Sequence, residues 1–118
     1  MERDPRAYLW DVQQAANAID QFIAGLDATG YADNALVRAA VERQFEIIGE
    51  ALNQLSKISP DLARRVPDLH DIIGFRNVLI HGYATIDHDR VWEIAQTSLP
   101  GLWEAVSALL AELGPPDA

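Results

Sequence analysis

Apolar residues recur at three- and four-residue steps through almost the whole chain, and no stretch alternates with the two-residue period of a half-buried strand. That property restricts the fold to packed helices. Leu9, Val12, Ala16, Ile19, Ile23 and Leu26 make the first stripe, a helix of about six turns. Asp4-Pro5 ahead of it supplies an N-cap and a proline at the first helical position, where the missing N–H has no partner to lose. Gly25 and the connector Asp27-Ala28-Thr29-Gly30 mark its end. A second stripe, Val37, Val41, Phe45, Ile48, Leu52 and Leu55, follows Asp33 or Asn34 as cap and runs to about Ile58. Ser59-Pro60-Asp61 breaks that helix and starts a short one through Leu62, Ala63 and Val66, before Pro67 interrupts again. Asp68 is placed to cap a helix from Leu69 to about His81, and Asp87 to cap a final helix carrying Trp92, Ala95, Leu99, Leu102, Val106, Leu109 and Leu113. Pro100 inside it removes one backbone hydrogen bond, so a kink near Gln96 to Leu99 is expected without an end to the helix. Gly114-Pro115-Pro116 stops it, and the last residues are expected to be disordered. The predicted fold is all-α, a single-domain bundle over residues 1–118 with four main helices and one short one.

With 118 residues, 49% of them hydrophobic, the chain can bury one core. No apolar run approaches the length of a membrane span, and Met1-Glu2-Arg3-Asp4-Pro5 lacks the apolar centre of a signal peptide, so a soluble cytoplasmic protein without membrane contact is expected. The absence of cysteine excludes disulfides, thiolate metal sites and cysteine nucleophiles. A net charge of −9 stands against nucleic-acid binding, which normally rests on accumulated Lys and Arg. Arg64, Arg65 and Arg76 nevertheless fall close together in sequence, and Arg38, Arg43 and Lys57 lie on the neighbouring helix, which leaves room for a local basic cleft against an acidic background. The acidic remainder either keeps a small domain soluble or faces a basic partner.

Chemistry concentrates in Arg76-Asn77-Val78-Leu79-Ile80-His81-Gly82-Tyr83. At about 100° per residue, Ile72, Ile73, Phe75, Val78, Leu79 and Ile80 form an apolar arc that contains Arg76 and Tyr83, while Asn77 and His81 sit together at its polar edge. A guanidinium inside such an arc either snorkels to water, pairs with a carboxylate such as Glu46 or Glu50, or receives an anion. Glu42, Glu46 and Glu50 stack at four-residue spacing, which reads either as a solvated acidic face or as support for Arg76 or His81. His81 before Gly82 suits a helix C-terminus, where a cationic ring complements the dipole. Tyr83 reads as a core tyrosine or as an exposed phenol. Taken together, the segment offers an anion clamp, a proton-transfer group titrating near neutrality and a phenol. His70 and His88 lie near helix starts as exposed polar residues, neither has metal-ligand spacing to His81, and no metal or other cofactor is expected.

The pattern Arg-x4-His-x-Tyr, with Asn directly after the Arg, resembles the signature of the HepT-like ribonuclease toxins of the HEPN superfamily. Glu46-Ile47-Ile48-Gly49-Glu50-Ala51, Val91-Trp92 and Leu99-Pro100-Gly101-Leu102 also fit, so the likeness runs from about Tyr8 to Leu113. The resemblance implies metal-independent RNA cleavage, tRNA being the substrate the family suggests, with Arg76 and His81 catalytic and Asn77 supporting. It also implies a homodimer and a toxin–antitoxin pair, in which a minimal nucleotidyltransferase antitoxin of the MntA type adenylylates Tyr83. On a straight helix Arg76 and His81 point about 140° apart, so two facing copies of the motif would build a compact site more readily than one. Similar bundles also serve as non-catalytic, nucleotide- or substrate-binding partners of small nucleotidyltransferases, and that alternative stays open beside the nuclease. A purely structural helical adaptor would leave the polar motif without a role.

Overall fold

A computed structural model describes residues 3–114 and Pro116, and shows seven α-helices among them and no strand. They are α1 (Pro5–Ile23), α2 (Ala28–Ala32), α3 (Ala35–Ile58), α4 (Pro60–Ala63), α5 (Leu69–His81), α6 (His88–Thr97) and α7 (Leu99–Leu113), with a 3-10 turn at Tyr83–Thr85. The all-α reading therefore holds, with more breaks than the periodicity suggested. None of the described helices is long and apolar enough to cross a membrane. The disorder expected at the chain's end falls largely on Pro115, Asp117 and Ala118, which lie outside the described residues.

Capping explains most of the boundaries. Asp4 accepts from the Arg6 amide and Pro5 opens α1, while Asn34 caps α3 through the Val37 amide and Asp87 caps α6 through the amides of Asp89 and Arg90. Two boundaries differ from expectation. The connector after α1 is a helix in its own right, because the Asp27 carboxylate accepts from the Gly30 amide and so closes a helical turn there. That turn carries Tyr31 into the core, where its ring lies 5.5 Å from Trp92. The final helix is also split, at Ser98, and Pro100 lies in the first turn of α7. Its ring nitrogen cannot donate to the carbonyl one turn back, and the chain uses that lost bond as a break between helices.

α1 and α3 form the centre of the bundle, with α7 on the outer flank of α1 and α5 on that of α3. The core joins Leu9, Val12, Ile19, Val41, Ile48, Leu52, Leu55, Leu99 and Val106, all buried. His88, expected to be exposed, is half-buried, and its Nδ1 is shut off from solvent without a hydrogen bond. Burial pushes the Tyr31 phenol well above its ordinary range, and desolvation also raises the nearby Glu42 carboxyl.

Candidate active site

α5 is the least core-like of the long helices. Leu79 is its one fully buried residue, while Ile72, Ile73 and Phe75 are half-buried against the bundle, with Phe75 meeting Phe45 edge-on at 5.3 Å. Val78 and Ile80 are 53% and 39% exposed. The apolar arc read from the sequence is thus split between a flank on α3 and a flank open to water. Gly74, Asn77, Val78 and His81, spaced three and four apart, share an exposed face. Asp68 occupies the N-cap position with φ 57° and makes no side-chain cap bond, so the start of α5 lacks the support that the sequence suggested.

Arg76 leans the other way, onto α3. Its Nη2 donates to Glu50 Oε2 at 2.5 Å and its Nη1 to Asn77 Oδ1 at 2.8 Å, while Nε is buried without a partner. The close approach depends on Gly49, since a Cβ there would lie 2.2 Å from the Cβ of Arg76 and 2.7 Å from its Cγ. Of the two carboxylates offered by the sequence, Glu50 is the one that pairs with Arg76, and it also accepts from Gln54 at 3.0 Å. Glu46 faces Arg43 instead, at 3.4 Å. Arg76 borders an open groove of about 240 Å³ that Arg3, Tyr8, Asp11, Arg43 and Glu46 also line.

His81 is exposed in the last turn of α5. Gly82 follows with φ −109°, so it does not take the left-handed conformation of a typical glycine cap. Its lack of a side chain matters for another reason: a Cβ would come within 2.9 Å of the Val78 carbonyl oxygen. The amide of Gly82 donates to that carbonyl at 2.7 Å, and its own carbonyl accepts from the Thr85 amide at 2.8 Å, which turns the chain sharply after His81. The backbone of Tyr83 opens this 3-10 turn, and its side chain lies outside the described part of the structure.

Of the arginines offered for a basic cleft, Arg43 and Arg76 line one groove together with Arg3, but Asp11, Glu46 and Glu50 line it as well, so its charge is mixed. Arg65 pairs with Glu112 at 2.5 Å, Arg64 with Asp61 and Arg90 with Glu93 at 3.1 Å, while Arg38 donates to the Ala32 carbonyl. The ion pairs of Arg64, Arg65 and Arg90 engage different helices. No group of three or more His, Asp or Glu side chains is arranged to hold a metal among the described residues. Arg76 can bind an anion, the Asn77 amide can donate and accept hydrogen bonds, and an imidazole such as that of His81 can move a proton.

The structure is an all-helical bundle in which one outer helix carries Arg76, Asn77 and His81. The family model described as "Ribonuclease HepT-like" matches residues 12–109, and the chain belongs to that family. "Putative RNase MJ1380" of Methanocaldococcus jannaschii is 33% identical over 107 residues, covering 89% of this chain and 95% of the relative. "Putative RNase TTE0752" of Caldanaerobacter subterraneus is 29% identical over 108 residues, covering 92% and 96%. "Probable ribonuclease HepT" of Thermococcus cleftensis is 27% identical over 106 residues, covering 86% and 92%. No solved structure gives a significant match to the chain.

Proposed function

We propose that the protein is a metal-independent RNA endonuclease in which Arg76 and His81 are the catalytic residues. The observation that carries this reading is a fixed guanidinium at Arg76, tied to Asn77, on the same helix as an exposed imidazole at His81. In the reaction the 2′-oxygen attacks the adjacent phosphorus as the P–O5′ bond breaks, giving a 2′,3′-cyclic phosphate and a 5′-hydroxyl; His81 takes the 2′-hydroxyl proton or gives one to the departing 5′-oxygen, the other transfer passing through water, and Arg76 stabilises the charge that accumulates on the phosphorane-like transition state. Asn77 orients Arg76 toward that phosphate.

Because Arg76 leans toward α3 while His81 faces solvent, the working site forms between two copies. Their α5 helices meet across a two-fold axis, and Val78 and Ile80, exposed in the single chain, supply the apolar contact. The chain acts as the toxin of a toxin–antitoxin pair. Its antitoxin is a nucleotidyltransferase: the Tyr83 hydroxyl attacks the α-phosphorus of ATP, the α–β phosphoanhydride bond breaks with release of pyrophosphate and the phenolic proton, and the AMP left on Tyr83 silences cleavage by competing with the RNA phosphate. A second reading, a non-catalytic partner subunit of such a nucleotidyltransferase, draws support from the net charge of −9 and from the pairing of the arginines.

Incubation of the purified protein with total RNA and EDTA, beside His81→Ala, separates the two readings. Cleavage that survives chelation and disappears in the variant is expected. Equal cutting by both proteins, or loss of cutting on chelation, would rule out the mechanism. Co-expression with a neighbouring nucleotidyltransferase should add the mass of one adenylyl group to the wild type and none to Tyr83→Phe. An identical increase on both would remove Tyr83 from the scheme.

A further inference from the structure

Arg76 has five N–H donors to place, as any arginine does. One is on the buried, unpartnered Nε, one goes from Nη2 to Glu50 at 2.5 Å, and one goes from Nη1 to Asn77 at 2.8 Å. That leaves one N–H on each terminal nitrogen, the number that a phosphate takes when it binds a guanidinium through two oxygens. The stem is fixed too, because Arg76 Cβ and Cγ rest on the bare backbone of Gly49. A guanidinium held at its root by packing and at both terminal nitrogens by acceptors has little rotational freedom left. Glu50 is the only one of these holders that carries charge, and its side chain is 45% exposed at the edge of the groove bordering Arg76.

We propose that Glu50 is a positioning residue for the reaction: it sets the guanidinium of Arg76 in the orientation needed by the transition state, at the expense of weaker binding of the RNA. This rests on the nuclease reading given above. The two effects have opposite signs because they act at different stages. A carboxylate beside the anion site repels the phosphate of the bound substrate, so its removal should tighten binding. The same carboxylate keeps Arg76 from rotating away from the charge that develops during attack, so its removal should slow the chemical step. Loss of a merely structural contact would reduce the amount of folded enzyme and would not lower KM.

The test measures kcat and KM for RNA cleavage by the wild type, Glu50→Ala and Glu50→Gln, together with NMR of the arginine side chains in 15N-arginine-labelled protein. In Glu50→Ala, kcat per folded enzyme should fall by about 10- to 100-fold, the range expected for a misplaced catalytic group, while KM drops. Glu50→Gln should recover part of kcat, because an amide oxygen still accepts from Nη2 while the charge is gone. The Arg76 guanidinium resonances should pass from restricted to fast rotation in Glu50→Ala. An unchanged kcat in active enzyme, a raised KM at constant kcat, or an Arg76 signal indifferent to Glu50→Ala would each overturn the proposal. If the wild type leaves RNA intact, the nuclease reading itself fails, and the Arg76 resonances then report separately on whether Glu50 fixes the side chain.

Discussion

Replacing Gly49 by alanine is the smallest change that tests how α5 is held. An added methyl carbon would stand 2.2 Å from Arg76 Cβ and 2.7 Å from its Cγ, and both neighbours lie at the root of the side chain, where rotation offers little relief. Since an unstrained carbon–carbon contact is about 3.5 Å, α5 must move away from α3 by roughly 1 Å or more, or Arg76 must leave its position. Overpacking of this kind typically costs about 1–3 kcal/mol, against a gain of about 0.5–1 kcal/mol from placing alanine in a helix interior. A net loss of about 1–2 kcal/mol follows, a fall in Tm of about 4–8 °C for a domain of this size. A shift of about 1 Å at Arg76 should in addition lower RNA cleavage by about 100-fold. Thermal and urea unfolding, with cleavage rates on the folded protein, measure both effects. Gly101→Ala, in the first turn of α7, is the control, since a Cβ there meets nothing within 4 Å; it should not destabilise the protein and should leave cleavage unchanged. If Gly49→Ala is as stable and active as Gly101→Ala, the close contact with Arg76 has no mechanical consequence and the reasoning fails.

Three further outcomes are expected. On the proposed two-fold dimer, the wild type should sediment as a dimer at micromolar concentration and Val78→Glu as a monomer with reduced cleavage and retained helicity; a monomeric wild type, or a fully dimeric, active variant, would count against an interface through α5. Asp87→Ala removes the acceptor for the Asp89 and Arg90 amides and should cost about 0.5–2 kcal/mol in urea unfolding, and a loss near zero would mean that water replaces the cap. Glu42 has its pKa raised, chiefly by desolvation, so the folded state binds its proton more readily than the unfolded chain does. Its ionised form therefore penalises stability above the raised value, and the penalty fades as pH falls through that value toward the ordinary carboxylate range. Glu42→Gln should accordingly be more stable than wild type at pH 7, with the difference shrinking on acidification. A difference that grows on acidification would give the effect the opposite sign.

Helical periodicity made the fold legible because burial on one face repeats at the pitch of the backbone, and it worked best where both flanks of a helix are covered, as in α1 and α3. It was least informative for α5, where the apolar residues go partly to the bundle and partly to solvent. A sequence reports that Val78 and Ile80 are apolar, and it does not report whether their cover comes from the same chain. The short helix after Asp27 and the full break at Ser98 are not legible in the sequence for a different reason. Both depend on one or two hydrogen bonds that decide between a turn and a helix, or between a kink and an end, and such margins are smaller than the burial signal. At the site, spacing drew attention to Arg76, Asn77 and His81 but left Glu46 and Glu50 equivalent, since both lie on the same side of α3 at four-residue spacing. The choice between them is made by where α5 crosses α3. That crossing is fixed at Gly49, the one position where the helix backbone is bare, and Glu50 is the residue next to it. Glu46 lies a turn earlier and meets Arg43 within its own helix. The glycine was present in the matched segment from the outset, yet its meaning required the partner: a small residue in a helix tells that something comes close, and only the packed structure tells that it is the catalytic arginine proposed here.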